Sequence, residues 1–467
     1  MLRALFTFKS PAGRGLGAGL KPWAARWPVL LAGMMMLLAA GCSFTTKQST
    51  LDPHGPVARD QMDLFMVTVR VTGFIFVVVG STAAWVVWRF REKPEDVGKP
   101  MPHQAHGNPL IEIGLIGSSI ALLVIIAIPT LKSIFFTMDM PTDNAIYPPS
   151  KLGVWYPSPP VKSAEEVLEV TVYGYQWWWG FDYKQFGLVT ANELVLPEGV
   201  VVKMNLRARD VIHSFWLPKL AGKVDVIPGR ANWLWLMADQ GATGLYYGQC
   251  AEYCGEAHAY MLFRARVVSR EDFVKWMEQS KKPVLPPGVD QPWATKALQD
   301  LAAKDPKSEA TDPQKATALW AAFLARGQED KKNNNINTAN LKTEVEKGAF
   351  LFFDRSGCAG CHTINGSPAA GVVGPNLSQV ASRTSLAAGI LDNLGDNGKI
   401  DPDKQLSNLH KWISDSIHVK PGNKMYTTPV VGLRDVELKN KNSGADPTAA
   451  QQDQDYKDIA AFIQTLK

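Results

Sequence analysis

The sequence predicts a multidomain membrane protein with two transmembrane helices, an all-β domain and an all-α domain. Three observations carry this. Two uncharged apolar runs, 71–88 and 113–131, approach the ~20 residues a helix needs to cross a bilayer. Residues 165–270 hold short apolar and β-branched runs punctuated by Pro and Gly. Residues 343–467 hold apolar side chains at helical spacing. The 467-residue length allows two to four domains at ~100–200 residues each. Five Cys are too few for a disulfide-stapled scaffold, and a 46% hydrophobic content excludes a disordered chain.

Residues 1–41 carry Arg3, Lys9, Arg14, Lys21 and Arg26 and no acid, so the +5 net charge lies wholly in this segment. The remainder is formally neutral, and nothing global points to nucleic acid. A basic start, the apolar stretch 29–40 and small residues before Cys42 have the shape of a secretory signal. A Cys at that place resembles a bacterial lipoprotein signal, which makes Cys42 a candidate lipidation site. An uncleaved signal anchor with an idle Cys is the alternative. Residues 42–62 form an outer tail, and 63–139 a transmembrane hairpin. Its loop carries Arg89, Arg91, Lys93 and Lys99 against Lys47 and Arg59 in the tail. That bias puts the loop inside and residues 140–467 outside. Glu112 sits at the inner end of the second run, either as a solvated cap or as a proton site.

Residues 140–279 read as the β domain, a sandwich or barrel. Runs at 167–173, 194–197, 200–206, 232–237 and 262–268 are strand candidates, with a Pro228-Gly229 turn. Residues 280–342 read as a linker, rich in Pro and Asn, with a helical patch at 316–326. In 343–467, Val345, Ala349, Phe352 and Phe353 share one face, as do Tyr456, Ile459, Ile463 and Leu466.

Four cysteines remain, in two pairs. Cys358-Ala359-Gly360-Cys361-His362 is C-x-x-C-H, the haem c attachment pattern. Two thiols add to the two haem vinyl groups, and the adjacent His362 serves as the proximal iron ligand. A redox dithiol or half a zinc site is the alternative. The other pair lies in Cys250-Ala251-Glu252-Tyr253-Cys254-Gly255-Glu256-Ala257-His258-Ala259-Tyr260-Met261. Two thiolates, an imidazole and a thioether form a soft ligand set that selects copper. His213, in Asp210-Val211-Ile212-His213, offers a second imidazole. Two bridging thiolates would give each of two coppers one His and one weaker ligand, from Met261 sulfur or the Glu252 carbonyl. A Cys250–Cys254 disulfide or a zinc site is the alternative.

The segment 250–261 resembles the binuclear copper A loop of cytochrome c oxidase subunit II. Tyr175-Gln176-Trp177-Trp178-Trp179 is similar to that family's aromatic motif, and 223–230 to its turn segment. The resemblance implies a cupredoxin-like Greek-key domain behind a two-helix anchor. Residues 343–467 resemble class I cytochromes c, through Gly374-Pro375-Asn376-Leu377 and through Lys420-Pro421-Gly422-Asn423-Lys424-Met425. That resemblance implies Met425 as the axial haem ligand, with His410 and His418 as rivals.

Together these resemblances imply an oxidoreductase subunit with its own haem c and a binuclear copper centre. Electrons would come from cytochrome c or a quinol–cytochrome c reductase. They would leave for a haem-copper catalytic subunit I, accompanied by subunit III, that reduces dioxygen with proton pumping. The resemblance further implies Trp177 as the point where electrons enter the copper site. It implies a magnesium ion on the Glu252 carboxylate at the subunit interface, and Glu112 at the mouth of a proton path. A copper A subunit of a nitric oxide reductase and a copper-delivery or redox-sensing lipoprotein are the alternatives. The expected location is the bacterial inner membrane, with the copper and haem domains outside.

Overall fold

The computed structural model describes residues 45–91, 98, 100, 107–141, 167–304, 310–328, 340–427 and 449–467. Cys42, the signal segment and parts of the hairpin loop and linker lie outside the described residues.

Two long helices come first: α1, Pro56–Arg89, and α2, Pro109–Met138. Pro fits the first turn of each, where the missing N–H has no partner to lose. The Asn108 side chain caps α2 by accepting from Leu110 N at 3.0 Å. Phe74, Phe76, Trp85, Leu123 and Phe135 are exposed. Apolar surface on this scale needs lipid around it. At 1.5 Å per residue, the 34 residues of α1 span ~51 Å, against a hydrocarbon core of ~30 Å. The surplus at its start is built into the β domain. Arg59 donates both ways to Asp239 at 2.6 and 2.7 Å, and His54 N donates to Lys219 O at 2.7 Å. Phe136 of α2 meets Trp235 edge-on.

The β domain is a sandwich of two five-stranded sheets, with orders β3-β2-β1-β5-β8 and β4-β10-β9-β6-β7. The strands are β1 (Leu168–Tyr175), β2 (Trp178–Tyr183), β3 (Leu188–Ala191), β4 (Glu193–Pro197) and β5 (Val202–Ala208) in the first half. The second half has β6 (His213–Trp216), β7 (Lys223–Val226), β8 (Asn232–Leu236), β9 (Gly244–Cys250) and β10 (Leu262–Val268). Strands β1/β5 and β4/β10 pair parallel, so the chain must cross between sheets, as a Greek-key sandwich requires. Alternation sends Val170, Val172, Met204 and Leu206 inward from the first sheet. Trp179, Phe181, Phe215 and Phe263 fill the space between the sheets, with Phe215 and Phe263 stacked at 4.8 Å.

Helix α3, Arg270–Lys281, follows β10, and its Phe273 and Trp276 pack on Tyr183. Residues 280–342 are not an extended tether where described. They form α4 (Pro292–Lys304) and α5 (Asp312–Gly327). Trp320 and Phe323 of α5 are fully buried in the same core as Phe350, Phe352 and Phe462. Trp320 Nε1 also donates to Val284 O at 2.9 Å. The helical patches pin the connector.

The last domain is helical. Helix α6, Glu344–Phe350, opens with a Thr343/Glu346 capping box. It crosses α8, Ala449–Gln464, so tightly that a Cβ on Gly348 would lie 1.8 Å from Asp458 O. Helix α7, Pro402–Ser414, is capped by Asp401, which accepts from Asp403 N and Lys404 N. Ala349, Phe352, Ile459, Ile463 and Leu466, predicted to share faces, are all in the core.

The helical domain sits directly on the β domain. Glu193 of β4 is buried and accepts from Thr384 N and Oγ1 at 2.8 and 2.9 Å. Leu262 N donates to Ala388 O at 3.1 Å, and Arg264 donates to Gly389 O at 3.2 Å. Ala387 and Ala388 hold φ of 53° and 60° in this loop. An L-residue pays ~1–2 kcal/mol for that region, so the contacts must hold the loop there.

Candidate redox centres

His213 opens β6, Cys250 ends β9, and the loop to β10 carries Cys254, His258 and Met261. The loop is closed by Cys250 N donating to Met261 O at 3.0 Å, and tied to β6 by Ala251 N donating to Ser214 O. Five side chains converge. Cys250 Sγ lies 3.8 Å from Cys254 Sγ and 4.0 Å from His213 Nδ1. Cys254 Sγ lies 3.6 Å from His258 Nδ1 and 3.7 Å from Met261 Sδ. The Glu252 carbonyl is 3.2 Å from Cys250 Sγ. A disulfide needs ~2.05 Å, so the thiols are free. His213, Cys250, Cys254 and Met261 are buried, while the Glu252 side chain is exposed.

Asp210 is the outer partner of this cluster. Its carboxylate meets His213 Nε2 at 2.9 Å, which leaves Nδ1 for the sulfurs. Burial works to raise the Asp210 pKa. Hydrogen bonds from His213, Gln176 N and Val211 N outweigh it and hold the carboxyl down to about 2. The two thiols are held in opposite directions. Donation by Cys254, with His213 beside it, holds Cys250 well below the ordinary thiol range. The hydrogen bond to Cys250 and burial push Cys254 upward. The pair thus favours loss of one proton over two, and bound cations would favour loss of both. Two sulfurs at bridging distance with two imidazoles, a thioether and a carbonyl fit two soft metal ions.

In the helical domain, Cys358, Cys361 and His362 line one cavity together with Met425. His362 Nδ1 is held by Pro375 O at 2.7 Å, which fixes the ring and leaves Nε2 for a metal. His410 is engaged with Asp453 at 2.9 Å, and His418 with Asp415 at 2.6 Å; neither lines the cavity. Leu409, Ile413 and Ile463 supply apolar walls. Two thiols, one imidazole and one thioether around an apolar cleft suit a covalently held haem.

The two sites meet at Trp177. Trp177 lines the same cavity as Cys358, Cys361, His362 and Met425, and its Nε1 donates to the carbonyl of Cys254 at 3.0 Å. Gln176 Nε2 donates to the same carbonyl at 2.9 Å, and the 176–177 peptide bond is cis. Gly255 makes this approach possible. It holds φ of 115°, and a Cβ there would lie 3.0 Å from the Trp177 ring. Glu112 stands apart in the exposed first turn of α2.

Sequence reasoning gave no role to three residues of this region: Asp210, Lys420 and Arg383. Asp210, three residues before His213, had a readable signal in its spacing. Lys420 is buried and donates to Trp177 O across the domain seam. Arg383 is buried in the cavity wall, and burial draws it down to about 10. Nothing local in the sequence marks either as buried.

Both domains are similar to known proteins. The family model for cytochrome c oxidase subunit II, periplasmic domain, matches residues 187–268, and that for cytochrome c matches 345–467. Cytochrome c oxidase subunit 2 of Bacillus sp. strain PS3 is 32% identical over 408 residues, covering 85% of this chain and 90% of that one. Cytochrome c oxidase subunit 2 of Alkalihalophilus pseudofirmus is 28% identical, covering 90% and 96%. The crystal structure of the periplasmic domain of subunit II of cytochrome oxidase of Bradyrhizobium japonicum is 36% identical. It covers 25% of this chain and 94% of that one, with a TM-score of 0.24. The chain is membrane-anchored with periplasmic domains, implies copper and haem as its cofactors, and belongs to the cytochrome c oxidase subunit 2 family, as an oxidoreductase subunit that partners the catalytic subunit of a haem-copper oxidase.

Proposed function

We propose that this chain is the electron-accepting subunit of a dioxygen-reducing oxidase in the inner membrane of a bacterium. The order is an external cytochrome c or quinol–cytochrome c reductase, the haem domain, the copper loop, then subunit I, assembled with subunit III. Cys358 and Cys361 would hold haem c covalently, and His362 and Met425 would hold its iron. His213, Cys250, Cys254, His258, Met261 and the Glu252 carbonyl would hold two coppers. Both groups, when bound, supply one-electron transfer with little change of geometry.

The residues of the chain do the rest. Asp210 fixes the His213 tautomer, and Pro375 O fixes His362, so neither ring turns between oxidation states. Burial of Cys250, Cys254 and Met261 keeps water from the sulfurs. The exposed Glu252 carboxylate is free to share a magnesium ion with subunit I, and the lipid-facing hairpin brings Glu112 to that partner. Lipidation of Cys42 would add a second anchor.

The observation that carries this reading is Trp177, which lines the haem cavity and donates to a copper-loop carbonyl. Rapid mixing of the oxidised complex with reduced cytochrome c tests it. The haem c band must reduce first and the near-infrared copper band second. Copper reduction ahead of haem c would refute the order.

A further inference from the structure

The relay leaves one buried charge without a role. Lys420 is 3% exposed, yet it lies at a seam between two domains. Among the described residues it forms no ion pair with a carboxylate. A lone ammonium removed from water costs several kcal/mol, so apolar packing alone would not place a lysine there.

Its surroundings give it work. The ammonium donates to the main-chain carbonyl of Trp177 and lines the cavity that holds Cys358, Cys361, His362 and Met425. Lys420 therefore touches the backbone of the residue whose indole N–H touches Cys254 O. Four residues later, Lys424 Nζ lies 3.5 Å from Asp210 Oδ2, and Asp210 orients His213. Met425 follows directly. One short segment thus contacts Trp177, reaches the carboxylate behind His213, and carries Met425, which would hold the haem iron.

We propose that Lys420 is a positioning residue for electron transfer between the two centres: it grips the Trp177 carbonyl and seats the indole between the haem cavity and the Cys254 carbonyl. The haem domain is thereby held in register with the copper loop, and internal transfer needs no domain swing. The docked domain also covers Trp177, which is 9% exposed. An external donor then delivers to the haem domain and not to Trp177. This inference rests on the relay proposed above.

The test uses the assembled oxidase. One electron is photoinjected at haem c, and its arrival at copper is followed in the near infrared. Wild type is compared with K420M, K420Q and K420R, with haem and copper spectra and metal content recorded for each. K420M is expected to slow internal transfer several-fold, since tunnelling falls exponentially as the indole and the haem domain shift from their seat. Its spectra and its KM for the external donor stay at wild-type values, and K420R restores most of the rate. Wild-type transfer in K420M with intact spectra overturns the proposal. If K420M fails to assemble, K420Q against K420R decides: a slower K420Q supports the role, and equal rates overturn it. Absence of copper reduction in the wild type overturns the relay itself, whatever Lys420 does.

Discussion

Replacing Glu193 by Ala loosens the haem domain from the copper domain without unfolding either. Glu193 is 6% exposed, and one of its oxygens receives both the amide and the hydroxyl of Thr384. Each hydrogen bond to a charged group contributes ~1.5–3 kcal/mol. The buried Arg383 guanidinium, for which Glu193 is the compensating charge, is left without it. Removing one partner of a buried charge cluster costs ~3–5 kcal/mol. The backbone contacts of 388–389 and the Lys420 contact remain, so the seam keeps part of its strength. A net loss of ~3 kcal/mol corresponds to a seam that opens ~10²-fold more often. Amide hydrogen exchange reads this directly, because Thr384 N–H has Glu193 as its acceptor. Its exchange should rise by that factor, while amides of β1 and β5 in the far sheet stay protected. Unchanged Thr384 exchange would refute the reasoning, as would equal loss of protection throughout both domains.

Three other outcomes are expected. G348A drives a methyl into Asp458 O and parts α6 from α8, costing at least ~1–3 kcal/mol; the denaturant midpoint of the haem domain falls, and an unchanged midpoint contradicts the crossing. D210N removes the charge that fixes His213, and copper affinity falls ~10–100-fold, measured by competition with a chelator of known affinity; undiminished affinity refutes the role. The Asp52 carboxyl is held below the ordinary aspartate value by the hydrogen bond from Lys219, against the opposing effect of burial. A depressed carboxylate stabilises fully above the unfolded value and loses that contribution as pH falls through the folded one. Urea titrations of wild type and D52N between neutral and strongly acid pH should therefore converge at the acid end, and parallel curves would contradict the linkage.

Much of this was legible because ligand chemistry is local. Cys250, Cys254, His258 and Met261 fall within one loop, and Cys358, Cys361 and His362 within one turn, so spacing alone constrains them. His213 needed the sheet, since only the pairing of β6 with β9 brings it to Cys250. The strands 168–175, 202–208 and 262–268 were visible as β-branched runs. Strand β2 was hidden because Trp178 and Trp179 read as an aromatic motif, and β9 because its Gly and Tyr content lacks a strong apolar alternation. The seam was not legible at all. Glu193, Thr384 and Lys420 are up to 227 residues apart, and each looks like an ordinary surface residue until the domains meet. Helix α5 was legible as the helical patch at 316–326, but the burial of its Trp320 and Phe323 was not, because they sit in a stretch that composition marks as a connector.

The central claim is that one chain holds two one-electron centres. Electron paramagnetic resonance of the oxidised, metal-loaded protein, with copper and haem quantified per chain, tests it most directly. The account predicts the hyperfine pattern of one unpaired electron shared by two copper nuclei, beside a low-spin haem c signal. A mononuclear copper pattern, or copper that survives replacement of Cys250 by Ser with its signal unchanged, would contradict it.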